Sequence, residues 1–259
     1  LLPKDFIRYR MTGEFGMDTH PNSACYQAGR PIMCMPAFTN IAENGAVEAS
    51  STCGTPPSSI CRKTYDSSGR AQRLCEDCDA YKPTAAHPAS LLTDRHITRN
   101  ETSWISADLD PYQDHVVNLT LSLKKRFEVY YVALEPSGGA EPDSIAIYKS
   151  ADFGKSWTPW HYFSKDCYAA FNKPTSNEAN TQITAANLQE VLCINLKAPR
   201  KGDTIAFSTT IGRPSNSPWS PALVDWMTVT DIRVSLIHNK WKRSSNSGNR
   251  RSHRLKNPN

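Results

Sequence analysis

No stretch of the chain approaches the run of about 18 apolar residues that a membrane-spanning helix needs, and the sequence gives no other sign of a helical span. Also missing are G-x-S-x-G, H-E-x-x-H and a Gly-rich phosphate loop. The signatures of nucleophile-elbow hydrolases, zinc proteases and phosphate-binding enzymes are therefore not written here. Seven histidines (His20, His87, His96, His115, His161, His238 and His253) are scattered without ligand spacing. The one C-x-x-C, Cys75 to Cys78, lacks the second close pair that a zinc ribbon requires. A thioredoxin-like role fails as well: Glu76 and Asp77 occupy its middle, where their charge disfavours a thiolate, and no βαβ pattern surrounds it.

Acidic residues are missing from the last 20 positions, "KWKRSSNSGNRRSHRLKNPN". This tail holds seven of the 30 basic side chains (Lys240, Lys242, Arg243, Arg250, Arg251, Arg254 and Lys256), leaving 23 basic against 25 acidic residues in the body. Rich in Ser and Asn and without apolar periodicity, the tail is expected to be disordered and to favour a polyanion such as heparan sulfate or nucleic acid, or to remain a solvated tail. At the other end, "LLPKDFIRY" is too short and too charged for a complete signal peptide, so a processed or partial start is expected.

What the chain does have is cysteine. Of eight (Cys25, Cys34, Cys53, Cys61, Cys75, Cys78, Cys167 and Cys193), six fall between positions 25 and 78. The even number and the crowding predict a disulfide-stapled N-terminal half in an oxidising compartment. Two glycosylation sequons, at Asn100 and Asn118, agree with secretion.

With 259 residues, one domain plus tails is expected. Positions 25 to 79 are rich in Gly, Pro, Ser and Cys and lack a sustained period, which predicts disulfide-held loops. "VNLTLSL" then alternates strictly, with Val117, Leu119, Leu121 and Leu123 on one face and Asn118, Thr120 and Ser122 on the other. After "KK", "RFEVYYVAL" reads as a second strand, apolar on both faces. "DSIAIYKS", "WTPWHYFS", "TIAFST" and "TVTDIRVSLI" repeat the theme between turn signals. The pattern predicts an all-β sandwich or jelly roll with little helix, the one helix candidate being "AANLQEVLC" at 185–193.

"SADFGKSWTPW" (150–160) carries the Asp-box pattern S-x-D-x-G-x-x-W. Its residues suit a tight hairpin: Asp152 accepts turn N–H bonds, Gly154 supplies a positive φ and Trp157 packs back. A sialidase propeller should repeat the motif blade by blade, but the chain contains one copy. In "HPASLLTDRHITRNETSW" (87–104), Asp94 and Thr102 stand eight residues apart in a loop. This is the oxygen inventory a hard cation such as calcium prefers, although an Asp in a loop also serves as an ordinary cap or turn residue.

Taken together, "CYQAGRPIMCMPAFTNIAENGAVEASSTCG", "CEDCDA", "HPASLLTD", "NLTLSLKKRFEVYYV", "SIAIYKSADFGKSWTPWHYFS", "IAFSTTIGRPS" and "SPALVDWMTVTDIRV" resemble the laminin N-terminal domain (domain VI), most of all as netrins carry it. The resemblance implies a β-sandwich jelly roll with long disulfide-bonded loops over 23–238, preceded by an N-terminal segment (1–22) and followed by the basic tail (239–259). It implies a secreted, extracellular-matrix protein acting in axon guidance and cell migration through receptors of the deleted-in-colorectal-cancer and neogenin type, a second, repulsive receptor class, and heparan sulfate. It further implies a structural calcium site at the Asp94 side chain and the backbone oxygens of Leu91 and Thr102, with a glycan at Asn100. A second implication is a laminin short-arm tip that assembles basement membrane; the Asp-box spelling favours netrin.

Where netrins usually have a cysteine pair, this chain has Ser103 and "EPSGGA", which implies a lost disulfide. Relatives continue from "TDIRV" into a last strand and EGF modules, whereas this chain turns into the basic tail. A fragment or divergent short form, without the calcium ligand expected near the domain's end, is therefore anticipated.

Overall fold

The alternating segments of the second half build the sheet. The computed structural model describes residues 7–10, 26–27, 30–31, 39–43, 45–65, 70–94, 102–107, 109, 113–136, 142–177, 181, 183–196, 204–213 and 220–239. Among them the strands are β1 (Ile7–Arg10), β2 (Tyr26–Gln27), β3 (Arg30–Pro31), β4 (Thr39–Asn40), β5 (Ala46–Ala49), β6 (Ser58–Tyr65) and β7 (Ala71–Cys78). They continue with β8 (His115–Leu134), β9 (Ser144–Ser150), β10 (Thr158–Ser164), β11 (Thr175–Ser176), β12 (Leu192–Asn195), β13 (Ile205–Ser208) and β14 (Thr228–His238). Two short helices, α1 (Cys167–Phe171) and α2 (Pro221–Met227), and a 3-10 turn at Ala89–Leu92 complete the described elements. No described helix is long and apolar enough to cross a membrane.

The two strands expected on either side of "KK" are one strand. β8 runs for 20 residues and turns at Lys124, which has φ 60°. Val229 of β14 faces Phe127 while Asp231 faces Ser122, so residues 123–126 bulge out opposite Thr230. Such a bulge bends a strand without ending its pairing. The first half of β8 lies between β14 and β5, and the second half between β1 and β13. One strand thereby serves both parts of a sandwich-like sheet, one ordered β11-β12-β10-β9-β14-β8-β5 and the other β4-β1-β8-β13.

Register carries the core. Val117, Leu119 and Leu121 face Leu236, Val234 and Ile232 across β8 and β14, and all six are buried. Ile145 and Ile147 of β9 extend this apolar face toward Trp160, Phe207 and Trp226, whose rings meet edge to face. α2 begins with Ser220 accepting from Leu223 N and with Pro221 in the first turn, a favourable helix start. Its C-terminal carbonyls at Asp225 and Trp226 accept from the buried ammonium of Lys149.

Two other local expectations are corrected. Positions 58–78 form a long antiparallel hairpin, β6 with β7, in which Cys61 stands directly opposite Cys75. A cross-strand disulfide, rather than apolar periodicity, marks those strands. The helix expected at 185–193 is a pair of turns followed by β12. Asn187 Oδ1 accepts from Thr184 N and Thr184 Oγ1, so local side-chain bonds hold the turn where a helix would need free backbone. Leu192 and Cys193 then pair in parallel with β10.

Candidate functional site

The hairpin between β9 and β10 is closed by a dense set of side-chain hydrogen bonds. Buried Ser150 donates from Oγ to Asp152 Oδ1 (2.8 Å) and accepts from Gly154 N (2.9 Å). Asp152 in turn accepts from Ser156 Oγ (2.6 Å) and Ser156 N (2.9 Å). These bonds, the Ser156 hydroxyl foremost, hold the Asp152 carboxyl at about 2. Thr230 Oγ1 on β14 accepts from Phe153 N (2.9 Å), which docks the turn on the sheet. Gly154 has φ 80° as the motif requires, and the Arg233 guanidinium lies 3.9 Å above the Trp157 ring, within cation–π range. The Asp-box is thus a rigid hairpin, with its polar residues spent on the turn.

Phe153 sits at the tip with φ 61°, its side chain 57% exposed. A left-handed conformation costs a non-glycine residue roughly 1–2 kcal/mol, and Asn tolerates it best. Phe153→Asn is therefore expected to raise the melting temperature by about 2–4 °C in calorimetry; a fall would mean that the ring contributes packing. Because its folded pKa is depressed, the Asp152 contribution is present above the ordinary carboxylate pKa and is lost as pH falls through about 2.

The oxygen-rich loop approaches the fold from both ends. Thr93, buried after the 3-10 turn, donates to Gly45 O (2.9 Å), and Leu91 N is bonded to Pro88 O. On the far side Trp104 is fully buried, with Nε1 donating to Thr52 Oγ1 (3.0 Å). Between these anchors Thr102 Oγ1 donates to Asp94 Oδ2 at 2.6 Å, so two of the three residues assigned to calcium converge. Among the described residues no group of three or more His, Cys, Asp or Glu could hold a metal. A cation here would rest on the Asp94 carboxylate with backbone carbonyl oxygens, a donor set that suits a hard ion. Asn100 lies outside the described residues.

Three disulfides tie the described parts: Cys53–Cys78, Cys61–Cys75 and Cys167–Cys193. Cys25, Cys34 and the basic tail from Lys240 to Lys256 lie outside the described residues. Asn118 is half-buried on β8, its Oδ1 accepting from Ser235 Oγ at 2.6 Å.

Sequence reasoning missed His161. A register shift between Pro159 and His161 turns both Trp160 and His161 toward Phe207. The imidazole stacks on Phe207 (4.4 Å, 2°) and meets Phe163 edge-on (4.7 Å). Burial, with the Arg213 charge nearby, pushes it down to about 3. Arg213 itself stacks 4.4 Å over Trp226 and donates to Leu188 O and Glu190 O, clamping the 184–190 turn.

The family described as Laminin N-terminal (Domain VI) matches residues 34–257. Among curated proteins, laminin subunit gamma-1 of Homo sapiens is 37% identical over 217 residues, covering 81% of this chain and 13% of that protein. Laminin subunit gamma-1 of Danio rerio is 38% identical over 214 residues (80% and 13%), and that of Xenopus tropicalis 36% over 219 (82% and 13%). The chain thus spans about 13% of the length of these relatives.

Proposed function

The chain belongs to the laminin N-terminal (domain VI) family, and from that premise we propose that it is a short-arm tip module that assembles extracellular matrix by protein recognition rather than by chemistry. The observation carrying this reading is identity of 36–38% to laminin gamma-1 chains over about four fifths of this chain. The netrin reading leaned on the spelling of one hairpin, which weighs less than similarity spread over that length. The relatives found lend no support to receptors of the deleted-in-colorectal-cancer and neogenin type. A secreted, extracellular setting belongs to this reading, and three disulfides suit its oxidising chemistry.

Recognition would use the fold as a rigid display. The Asp-box hairpin holds its backbone through hydrogen bonds already made. Little ordering then remains to oppose binding. Calcium belongs to the proposal at the Asp94 side chain and the backbone oxygens of Leu91 and Thr102, and heparan sulfate at the basic tail. Calcium is expected to raise the melting temperature of the wild-type chain, and Asp94→Ala to cancel that rise while melting normally in chelator. Equal melting shifts for the variant with and without chelator would remove the ion from this loop. The assembly role itself is tested by adding the secreted chain to polymerising laminin and weighing the sedimented network.

A further inference from the structure

At one end of the sheet, four neighbouring strands place ionisable residues in a single row. His115 of β8 is the register partner of His238 of β14. Asp143, just ahead of β9, donates its N–H to Ile237 O at 2.8 Å, and Lys165, just after β10, donates its N–H to Asp143 O at 3.1 Å. The row His115, His238, Asp143, Lys165 follows directly, and its outer pair is an ion pair of 3.0 Å. Alternation puts His115 on the same face as Val117 and His238 on the same face as Leu236. The two imidazoles therefore stand side by side at the rim of the apolar core. Directly opposed strand residues have Cβ atoms about 4.5–5.5 Å apart, a spacing from which two rings can reach one ion at about 2.0–2.1 Å.

We propose that His115 and His238 form an open two-histidine site for a divalent transition metal ion of the zinc or nickel kind, with water in the remaining positions. Imidazole is the ligand these ions prefer. Asp143 flanks His238 on the side away from His115. Its own charge is balanced by Lys165, and its Oδ2 accepts from Asn239 N at 2.9 Å, which fixes its place.

The test is thermal melting of the full chain at pH 7.5 with zinc chloride or nickel chloride alone. The expected result is a metal-dependent rise in melting temperature that disappears in both His115→Asn and His238→Asn and persists in His87→Asn. Since either substitution could alter folding, the increment over each variant's own metal-free value is what counts. Copper(II) bound to the wild type should also show two imidazole nitrogens in its paramagnetic resonance spectrum. No rise in the wild type, or an undiminished rise in His238→Asn, overturns the site.

Discussion

Between pH 6.5 and 4.5 the domain is expected to lose about 2.3 kcal/mol of stability through His161 alone. The sign follows from its depressed folded pKa. The unfolded chain binds a proton at about 6.5, whereas the folded ring resists protonation until about 3, so acid favours the unfolded state throughout that interval. The cause is geometric: the ring is 2% exposed, lies flat on Phe207, and its Nε2 has no hydrogen-bond partner among the described residues. An imidazolium there would be buried without a counter-charge and with Arg213 beside it. His238, whose pKa is lowered too, contributes in the same direction. Depressed carboxylates such as Asp152 matter only below this window. Denaturant unfolding of wild type and His161→Phe at both pH values separates the contributions. The variant should lose most of the slope, and an unchanged slope would show that the acid lability lies elsewhere.

Removing the Cys167–Cys193 disulfide is expected to cost about 3.5 kcal/mol, from the chain entropy released when a loop of this length opens. The bond joins α1 to β12 across 26 residues of sequence, and both sulfurs are buried. α1 is too short to persist on its own. It rests on the Asp166 cap, on Asn172 in a left-handed conformation and on the Phe171–Tyr162 ring stack at 4.0 Å. Cys167→Ala with Cys193→Ala should therefore lower the urea midpoint and expose the segment between them to proteolysis first. A cost below about 1 kcal/mol would mean that β12 holds its place through its parallel pairing with β10 and β11.

The parts of the fold that could be read in the sequence are those where one face repeats at period two. Val117, Leu119, Leu121 and Leu123 announce their strand because all four are buried, the first three directly opposite β14. What stayed hidden depends on departures from that period. Lys124 turns β8 through a bulge, so one strand looked like two. The bulge at Pro159 brings consecutive residues, Trp160 and His161, onto one aromatic cluster, which no alternation rule anticipates. β6 and β7 are held in register by a covalent cross-link, and turns at 184–190 by Asn187 and Arg213, where helical spacing of Leu188, Val191 and Leu192 pointed the other way. The candidate site was more legible. Asp152 and Gly154 do in space what their spacing announced, and Asp94 meets Thr102 across eight residues. The row of His115, His238 and Asp143 was invisible because it joins three strands distant in sequence.

Assembly by recognition should show itself in competition for laminin polymerisation. Polymerising laminin is incubated with calcium and increasing amounts of the secreted chain, the sedimented network is weighed, and immobilised receptor ectodomains of the deleted-in-colorectal-cancer type are probed in parallel. The expected outcome is a dose-dependent loss of sedimented laminin, weakened by Asp94→Ala, and no saturable binding to the receptor. Undiminished polymerisation together with saturable receptor binding would contradict it and restore the netrin reading.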